Sequence, residues 1–515
     1  MSARPIRLIS GFLTVGGWTL VSRVTGFIRE ILILALIGPG PLLDAFVAAF
    51  RLPNLFRRFL AEGAFNAAFV PMYSKRSEAG EDADGFAREA FNGLSLVVLA
   101  LVAVGMVFMP VLVWATAAGF RGDARFDLAV GYGRIVFPYI LFMSLAALFS
   151  GVLNANGRFA AAAAAPVLLN IFAVAAMVAG AVTGGAVITW LLWAIPVAGA
   201  AQLALVWAAV HREGIRIRPG RPRWSPEMKH LVAVGLPAAL ANGVVQINLV
   251  VGQLVASHTE GAVSWLFAAD RLYQLPLGVV GIAVGIVLLP ELARRLKSGD
   301  DAGAKASFSR AGEFAMILTL PCAVAFLVVP LPVVSVLYER GATDAADSAA
   351  IAQALAIYGL GLPAFVLQKL QQPLFFARED TRSPFRYALV AMVVNAGLAF
   401  GLLPLIGWLA PAVAATTSAW VMSGLLFWGA RKYGDVARFD ARYLSRLVRI
   451  IAASLVMGVF VWVLAQALAP MLQTDGWRYL ALAALVVLGL GGYGLAGQIL
   501  GAFRMSEFRS ALRRD

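Results

Sequence analysis

The chain is divided into apolar segments separated by short polar turns, and the segments are long for the core of a globular domain. Runs of about 20 residues or more fall near 10–37, 44–71, 90–117, 128–152, 160–183, 186–210 and 230–256. They recur near 262–292, 310–338, 348–374, 385–406, 409–430, 447–469 and 478–502. In hydrocarbon every backbone N–H and C=O must be satisfied within the protein, so a run of this length spans a bilayer as a helix. The expected fold is an all-α polytopic membrane protein with fourteen transmembrane helices. Composition agrees, with 61% hydrophobic and 14% charged residues and a mean hydropathy of +0.82 over 515 residues, which is unlike a soluble domain.

One cysteine, Cys322, and three dispersed histidines, His211, His230 and His258, exclude a disulfide framework and offer no metal-ligand cluster. The first apolar run follows Arg4 and Arg7 and continues to about Ile37 without a small-residue cleavage pattern. It therefore reads as a retained helix and not as a signal peptide.

Orientation follows from the basic residues. With the amino terminus inside, 30 of the 42 Lys and Arg fall on cytoplasmic ends and loops, 5 on the opposite side (Arg121, Arg125, Arg134, Arg340, Arg478) and 7 within spans. This asymmetry fits an even helix count with both termini cytoplasmic. It also explains the net charge of +14 as contact with anionic lipid, since the charge is spread over short loops without a nucleic-acid motif.

A shift of 220 residues lays Ala48-Ala49-x-Arg51-Leu52 over Ala268-Ala269-x-Arg271-Leu272, with Pro71 and Pro290 closing the two stretches. A second echo pairs residues 156–170 with 380–395, each a basic turn followed by a helix containing Asn. Two pseudo-symmetric six-helix lobes follow, 1–210 and 230–430, joined by a basic cytoplasmic linker at 211–229. Residues 431–515 add two further helices and a tail. Repeats of even helix number keep their direction, which puts the transport site between lobes related by an axis along the membrane normal.

The charges inside the spans carry the functional argument. Seven cations (Arg23, Arg29, Arg51, Arg57, Arg58, Arg271 and Lys369) stand against four acids (Glu30, Asp44, Glu62 and Asp270). A charge facing lipid at mid-bilayer costs roughly 2.5–3.5 kcal/mol even on the lenient insertion scale, so these groups face water or one another. Helical spacing puts Asp44, Arg51, Arg58 and Glu62 on one stripe. It puts Arg23 and Glu30 on one face of the first helix, and Ser22, Gly26 and Arg29 on a neighbouring one. Ion pairing, for example of Arg23 with Glu30, leaves a positive surplus. A basic, water-filled cavity takes an anionic substrate, and arginine's planar fork suits phosphate or pyrophosphate oxygens. Pro53 is expected to kink the second helix between Arg51 and Arg57.

The stretches SRVTGFIRE (22–30), DAF (44–46), LPNLFRRFLAEGAFNAAFVP (52–71), ADRLYQLPLGVVGIAVGIVLLP (269–290) and FFAREDTRSP (375–384) resemble the MurJ/MviN family of lipid II flippases. That family belongs to the multidrug/oligosaccharidyl-lipid/polysaccharide exporter superfamily, and the resemblance runs over essentially the whole chain. It implies a protein of the bacterial cytoplasmic (inner) membrane, in peptidoglycan synthesis, that moves undecaprenyl-pyrophosphate-linked disaccharide pentapeptide to the periplasmic leaflet by alternating access. Its cavity arginines fall on Arg23, Arg29, Arg57, Arg58 and Arg271, its cavity acid on Asp44 and its AEGAF acid on Glu62. Glu30 and Arg51 stand where the family usually has Asp and often Lys. The last two helices correspond to an apolar groove for the polyprenyl tail, and cell-wall synthesis proteins are implied as partners.

Alternative readings are a related exporter of another lipid-linked oligosaccharide and a cation-coupled drug antiporter. The arginine surplus disfavours a cationic substrate. An enzyme is disfavoured as well. EDAD at 81–84 reads as a solvated loop, and Gly489-x-Gly491-x-x-Gly494 lies in an apolar span without the strand a dinucleotide site needs. No nucleotide-binding motif or cofactor motif is present. Coupling to an ion gradient, coupling to the membrane potential and passive coupling all stay open, with Asp44, Glu62 or Asp270 as proton or Na⁺ sites or as static ion pairs.

Overall fold

The computed structural model describes residues 5–57 and 66–503, and every regular element among them is helical. The chain divides into two compact units, Met1–Ser264 with Arg340–Ala342, and Trp265–Glu339 with Thr343–Asp515. The first holds α1 (Pro5–Leu36), α2 (Pro41–Arg57), α3 (Asn66–Ala79), α4 (Ala83–Val107), α5 (Met109–Thr116), α6 (Ala124–Val136), α7 (Tyr139–Ala155), α8 (Ala160–Val182), α9 (Val187–Arg212) and α10 (Pro226–Ala256). From α11 (Ala262–Lys297), whose first turn belongs to the first unit, the second continues through α12 (Asp301–Val328), α13 (Pro330–Tyr338), α14 (Ala345–Phe376) and α15 (Arg382–Ile406). It closes with α16 (Ala410–Ala430), α17 (Ala441–Ala467), α18 (Ala469–Gln473) and α19 (Trp477–Ile499).

Nine helical stretches among the described residues are long and apolar enough to cross a membrane. Several runs expected as single rods are broken at proline. Pro110 and Pro330 stand in the first turns of new helices, α5 and α13, and Pro138 is the cap before α7, while Pro470, just past the run 447–469, stands in the first turn of α18. At such a position the missing N–H is one that the helix would leave unsatisfied anyway. Within the run at 44–71 the described residues belong to α2 and α3, with Pro53 and Pro71 carried inside them, and 58–65 lie outside the described residues.

In the first unit α8 packs on α1 and α9, and α2 packs on α6. Buried polar ties set the register of this packing. Tyr139 on α7 donates to Gln202 Oε1 on α9 at 3.2 Å, and Gln202 Nε2 donates to the Ala165 carbonyl on α8 at 2.8 Å. Gly199 makes room for the Tyr139 ring, because a Cβ there would lie 2.7 Å from it. In the second unit α14 packs on α12 and α16, and α17 packs on α12 and α19. Gln368 donates to the Ala419 carbonyl at 2.8 Å and Tyr493 to the Ile317 carbonyl at 2.9 Å. Each bond satisfies a polar atom that would be costly to bury alone.

Two glycines hold the loop 340–342 against the end of α1. Ala342 N–H donates to the Ala35 carbonyl at 2.9 Å. Gly341 has φ +60° and a Cβ there would lie 2.1 Å from the Ala35 oxygen, while at Gly38, φ +74°, it would lie 2.3 Å from the Ala342 oxygen. Gly476 also has positive φ, +86°, but open space around its missing Cβ. Alanine at 476 should therefore cost only the left-handed penalty of about 1–2 kcal/mol. Gly341→Ala should lose about 1–3 kcal/mol more through the clash. Unfolding of the two variants in detergent measures the difference, and equal stabilities would show that the backbone contact does not form.

Candidate functional site

The Ser22, Gly26, Arg29 stripe of α1 is the face that meets α8. Gly26 lies against Asn170, whose amide nitrogen would be 3.4 Å from a Cβ at this position. Asn170, nearly fully buried, donates from Nδ2 to the Ser22 carbonyl at 3.0 Å and to Thr25 Oγ1 at 3.1 Å. Its Oδ1 accepts from Arg29 Nη1 at 3.0 Å, and Arg29 Nη2 donates to Glu30 Oε1 at 2.5 Å. The Arg29 side chain is 15% exposed and that of Glu30 5%. A guanidinium is thus oriented by an amide on one side and a carboxylate on the other, and its buried Nε has no acceptor among the described residues. Glu30 pairs with its neighbour Arg29, not with the Arg23 that helical spacing places on its face. Arg23 is exposed and has no ion pair or hydrogen bond among the described residues.

Asp44, in the first turn of α2, occupies a different environment. It is wholly buried and accepts at both oxygens. Oδ1 takes the Ser264 N–H at 2.9 Å and the Ser264 hydroxyl at 2.6 Å, and Oδ2 takes the Gly261 N–H at 2.8 Å and Arg125 Nη1 at 3.3 Å. These are the open N–H groups at the start of α11, which an aspartate caps well. The sites of a carboxylate number about four, and all are filled. Asp44 therefore ties α2 to the start of α11 and has no lone pair left for a ligand.

Arg125 is the residue that sequence reasoning missed. Sorting of the basic residues places it on the side opposite the cytoplasm, outside the apolar runs. Its side chain is 6% exposed, held by Asp123 Oδ2 at 2.7 and 2.9 Å, by the Thr259 carbonyl at 3.3 Å and over the Phe120 ring at 4.5 Å. The available signal was an apolar-flanked Asp44 without a cation at helical spacing on its N-terminal side. Asn170 was visible only as the asparagine of the second echo.

Arg51 and Arg57 are half-buried on α2, and Pro53 between them is buried. Arg58 and Glu62 lie outside the described residues. In the second unit Arg271 is half-buried, with its guanidinium 4.7 Å from the Phe267 ring centre, and Asp270 beside it accepts from the Gln274 amide. Among the described residues no group of three or more His, Cys, Asp and Glu could hold a metal ion. The described geometry offers oriented guanidinium groups, which bind oxyanions through charge-assisted hydrogen bonds.

The family profile described as "Lipid II flippase MurJ" matches residues 33–486. A Rhizobium tropici protein named "Probable lipid II flippase MurJ" is 43% identical over 517 residues, covering 98% of this chain and 97% of that one. "Lipid II flippase MurJ" of Burkholderia cenocepacia is 36% identical, covering 89% and 90%. Among solved structures, "Lipid II flippase MurJ, inward closed conformation" has the same fold, with a TM-score of 0.80 at 24% identity over 94% of this chain and 98% of that one. An inward-facing multidrug resistance MATE family transporter of the MOP superfamily follows at 0.66 and 15%, covering 80% and 94%. With the profile spanning most of its length and relatives this similar over nearly all of it, the chain belongs to the lipid II flippase MurJ family.

Proposed function

We propose that this protein flips lipid II, the undecaprenyl-pyrophosphate-linked peptidoglycan precursor, from the cytoplasmic to the periplasmic leaflet of the bacterial inner membrane. The observation that carries this is the family match over residues 33–486 with 43% identity to a full-length relative. The protein is a transporter and not an enzyme.

In this reading Arg23, Arg29, Arg51, Arg57, Arg58 and Arg271, with Glu62, line a cationic passage for the pyrophosphate headgroup, and the lobes rock about it in alternating access. Three features support it. Arg23 is exposed and makes no ion pair among the described residues, Arg29 is oriented by Asn170 and Glu30, and Arg271 is spread over Phe267. Asp44 falls outside the set because its oxygens are already filled.

The proposed architecture is fourteen helices in two six-helix lobes, 1–210 and 230–430, with 431–515 appended and both termini cytoplasmic. The Lys and Arg asymmetry supports it, as does paired burial in the echo. Ala48, Ala49 and Leu52 are buried to 2% exposure or less, and so are Ala268, Ala269 and Leu272. Cell-wall synthesis proteins are the natural partners.

The primary test is exposure of lipid II to an outer-leaflet cleaving probe in cells depleted of this protein. Wild type should restore exposure and Arg29→Ala should not, while Arg29→Lys should restore part of it, because lysine keeps the charge but loses the fork. Asn170→Ala should reduce rescue roughly tenfold or more by releasing that fork. Full rescue by Arg29→Ala at normal protein level would remove Arg29 from the headgroup site.

Asp44→Asn separates the structural tie from the passage. Removing one charge from a saturated buried site should destabilise the folded protein by about 1–3 kcal/mol. Pyrophosphate affinity of the folded fraction should be unchanged. A variant of normal stability that no longer binds pyrophosphate would return Asp44 to the passage.

A further inference from the structure

Between α9 and α10 the chain runs without regular structure from Glu213 to Ser225, yet it is firmly held to the first unit. Gly214, at φ +83°, turns the chain out of α9. Ile217 is 2% exposed in the aromatic core around Phe91 and Phe149, and Ile215 packs against the same cluster. The Gly220 N–H donates to Asn92 Oδ1 at 2.8 Å, and the Ser225 hydroxyl to Glu89 Oε2 at 2.6 Å. Pro219 and Pro222 fix φ between these anchors.

With the isoleucines turned inward, the charges turn outward. Arg212, Arg216, Arg218, Arg221, Arg223 and Lys229 are all exposed. The two acids of this stretch are taken by cations from elsewhere, Glu213 by Arg158 at 3.0 Å and Glu227 by Arg76 at 3.2 Å. Among the described residues the six cations make no ion pair. Trp224 stands among them, 65% exposed. Both ends of the strap leave long helices at one surface, and α9 is long and apolar enough to cross a membrane, so the strap lies where the headgroup layer begins.

We infer that this strap is a docking surface for anionic phospholipid headgroups of the cytoplasmic leaflet, seated by its outward arginines and anchored by Trp224. Uncompensated cations next to a membrane span are drawn to a negative lipid surface, and an indole beside them settles at the interface. The burial of Ile215 and Ile217 presents the cations already in place, which lowers the ordering cost of binding. The inference rests on the flippase reading for which side of the membrane the strap faces.

The test uses the full chain with Cys322→Ser, which removes the single cysteine, and Pro222→Cys as a labelling site. In intact cells a membrane-impermeant maleimide should fail to label it. Labelling from outside would overturn the assigned side, and with it the orientation on which the flippase reading stands.

Reconstituted with a nitroxide at this position, the protein is compared in phosphatidylcholine bilayers with and without phosphatidylglycerol. Adding the anionic lipid should raise collisions with lipid-soluble oxygen, relative to a water-soluble nickel chelate, by about twofold. Salt should reverse the gain. Replacing Arg216, Arg218, Arg221 and Arg223 by Gln should abolish it, and replacing them by Lys should keep it. A label that stays in water in both bilayers overturns the inference alone, leaving the strap to a soluble acidic partner. Equal insertion in both bilayers overturns it too, since charge would then not be the driver.

Discussion

An ionised group inside a membrane protein must find water, a counter-charge or a full set of hydrogen bonds, and the buried acids here are resolved by the last two. Asp44 is closed by two backbone N–H groups, a hydroxyl and Arg125. Glu30 meets Arg29. Glu313, 4% exposed on α12, is met by Arg310, by Arg446 at 3.1 Å and by Arg442 at 3.4 Å. A carboxylate accepts at about four positions and is readily saturated by N–H donors, whereas a guanidinium carries five donors in a fixed fork. Where acids and arginines are buried together, each carboxylate is met by arginine donors, and a guanidinium keeps further N–H groups of its fork, as Arg29 does at Nε.

The local level of this arrangement was legible in the sequence. Apolar runs marked helices because a bilayer imposes a length, and helical spacing placed Ser22, Gly26 and Arg29 on one face, though not that this face meets Asn170 of α8. Proline effects were partly legible. The sequence showed Pro110, Pro138 and Pro330 inside apolar runs, but whether a proline kinks, caps or restarts a helix depends on what packs around it. Pro53 stays within α2 while Pro330 opens α13.

Partnership across the chain was not legible. Asp44 and Arg125 lie 81 residues apart and Arg29 and Asn170 lie 141 apart, and no periodicity links such positions. The helical face alone favoured Arg23 as the partner of Glu30. The side chain one residue away reached it instead, because Asn170 pulls the Arg29 guanidinium round toward α8. The contact of Gly38 and Gly341 was hidden for a different reason, since a glycine's role is set by the backbone it touches.

The 220-residue echo shows how two copies of one helix can differ where difference is required. Ser264 is the residue that the shift lays over Asp44, and these two side chains hydrogen-bond to each other at 2.6 Å. Aspartate at both positions would bring two carboxylates together, and one would have to remain protonated. Serine in the second copy supplies a donor to the acid in the first. The alanines and leucine that pack are unchanged and equally buried. An amide also recurs four residues after the variable position, where Asn54 donates to the Phe50 carbonyl at 2.9 Å and Gln274 to the Asp270 carboxylate. That variable position sets the surroundings of the arginine. Phe50 stacks on Phe46 at 5.6 Å and brings no charge to Arg51, while Asp270 places a carboxylate next to Arg271. The acid at the head of the first copy thus closes the start of α11, while the acid of the second copy stands beside its arginine. The two arginines, identical in the echo, therefore follow different neighbours, a stacked phenylalanine before Arg51 and a carboxylate before Arg271.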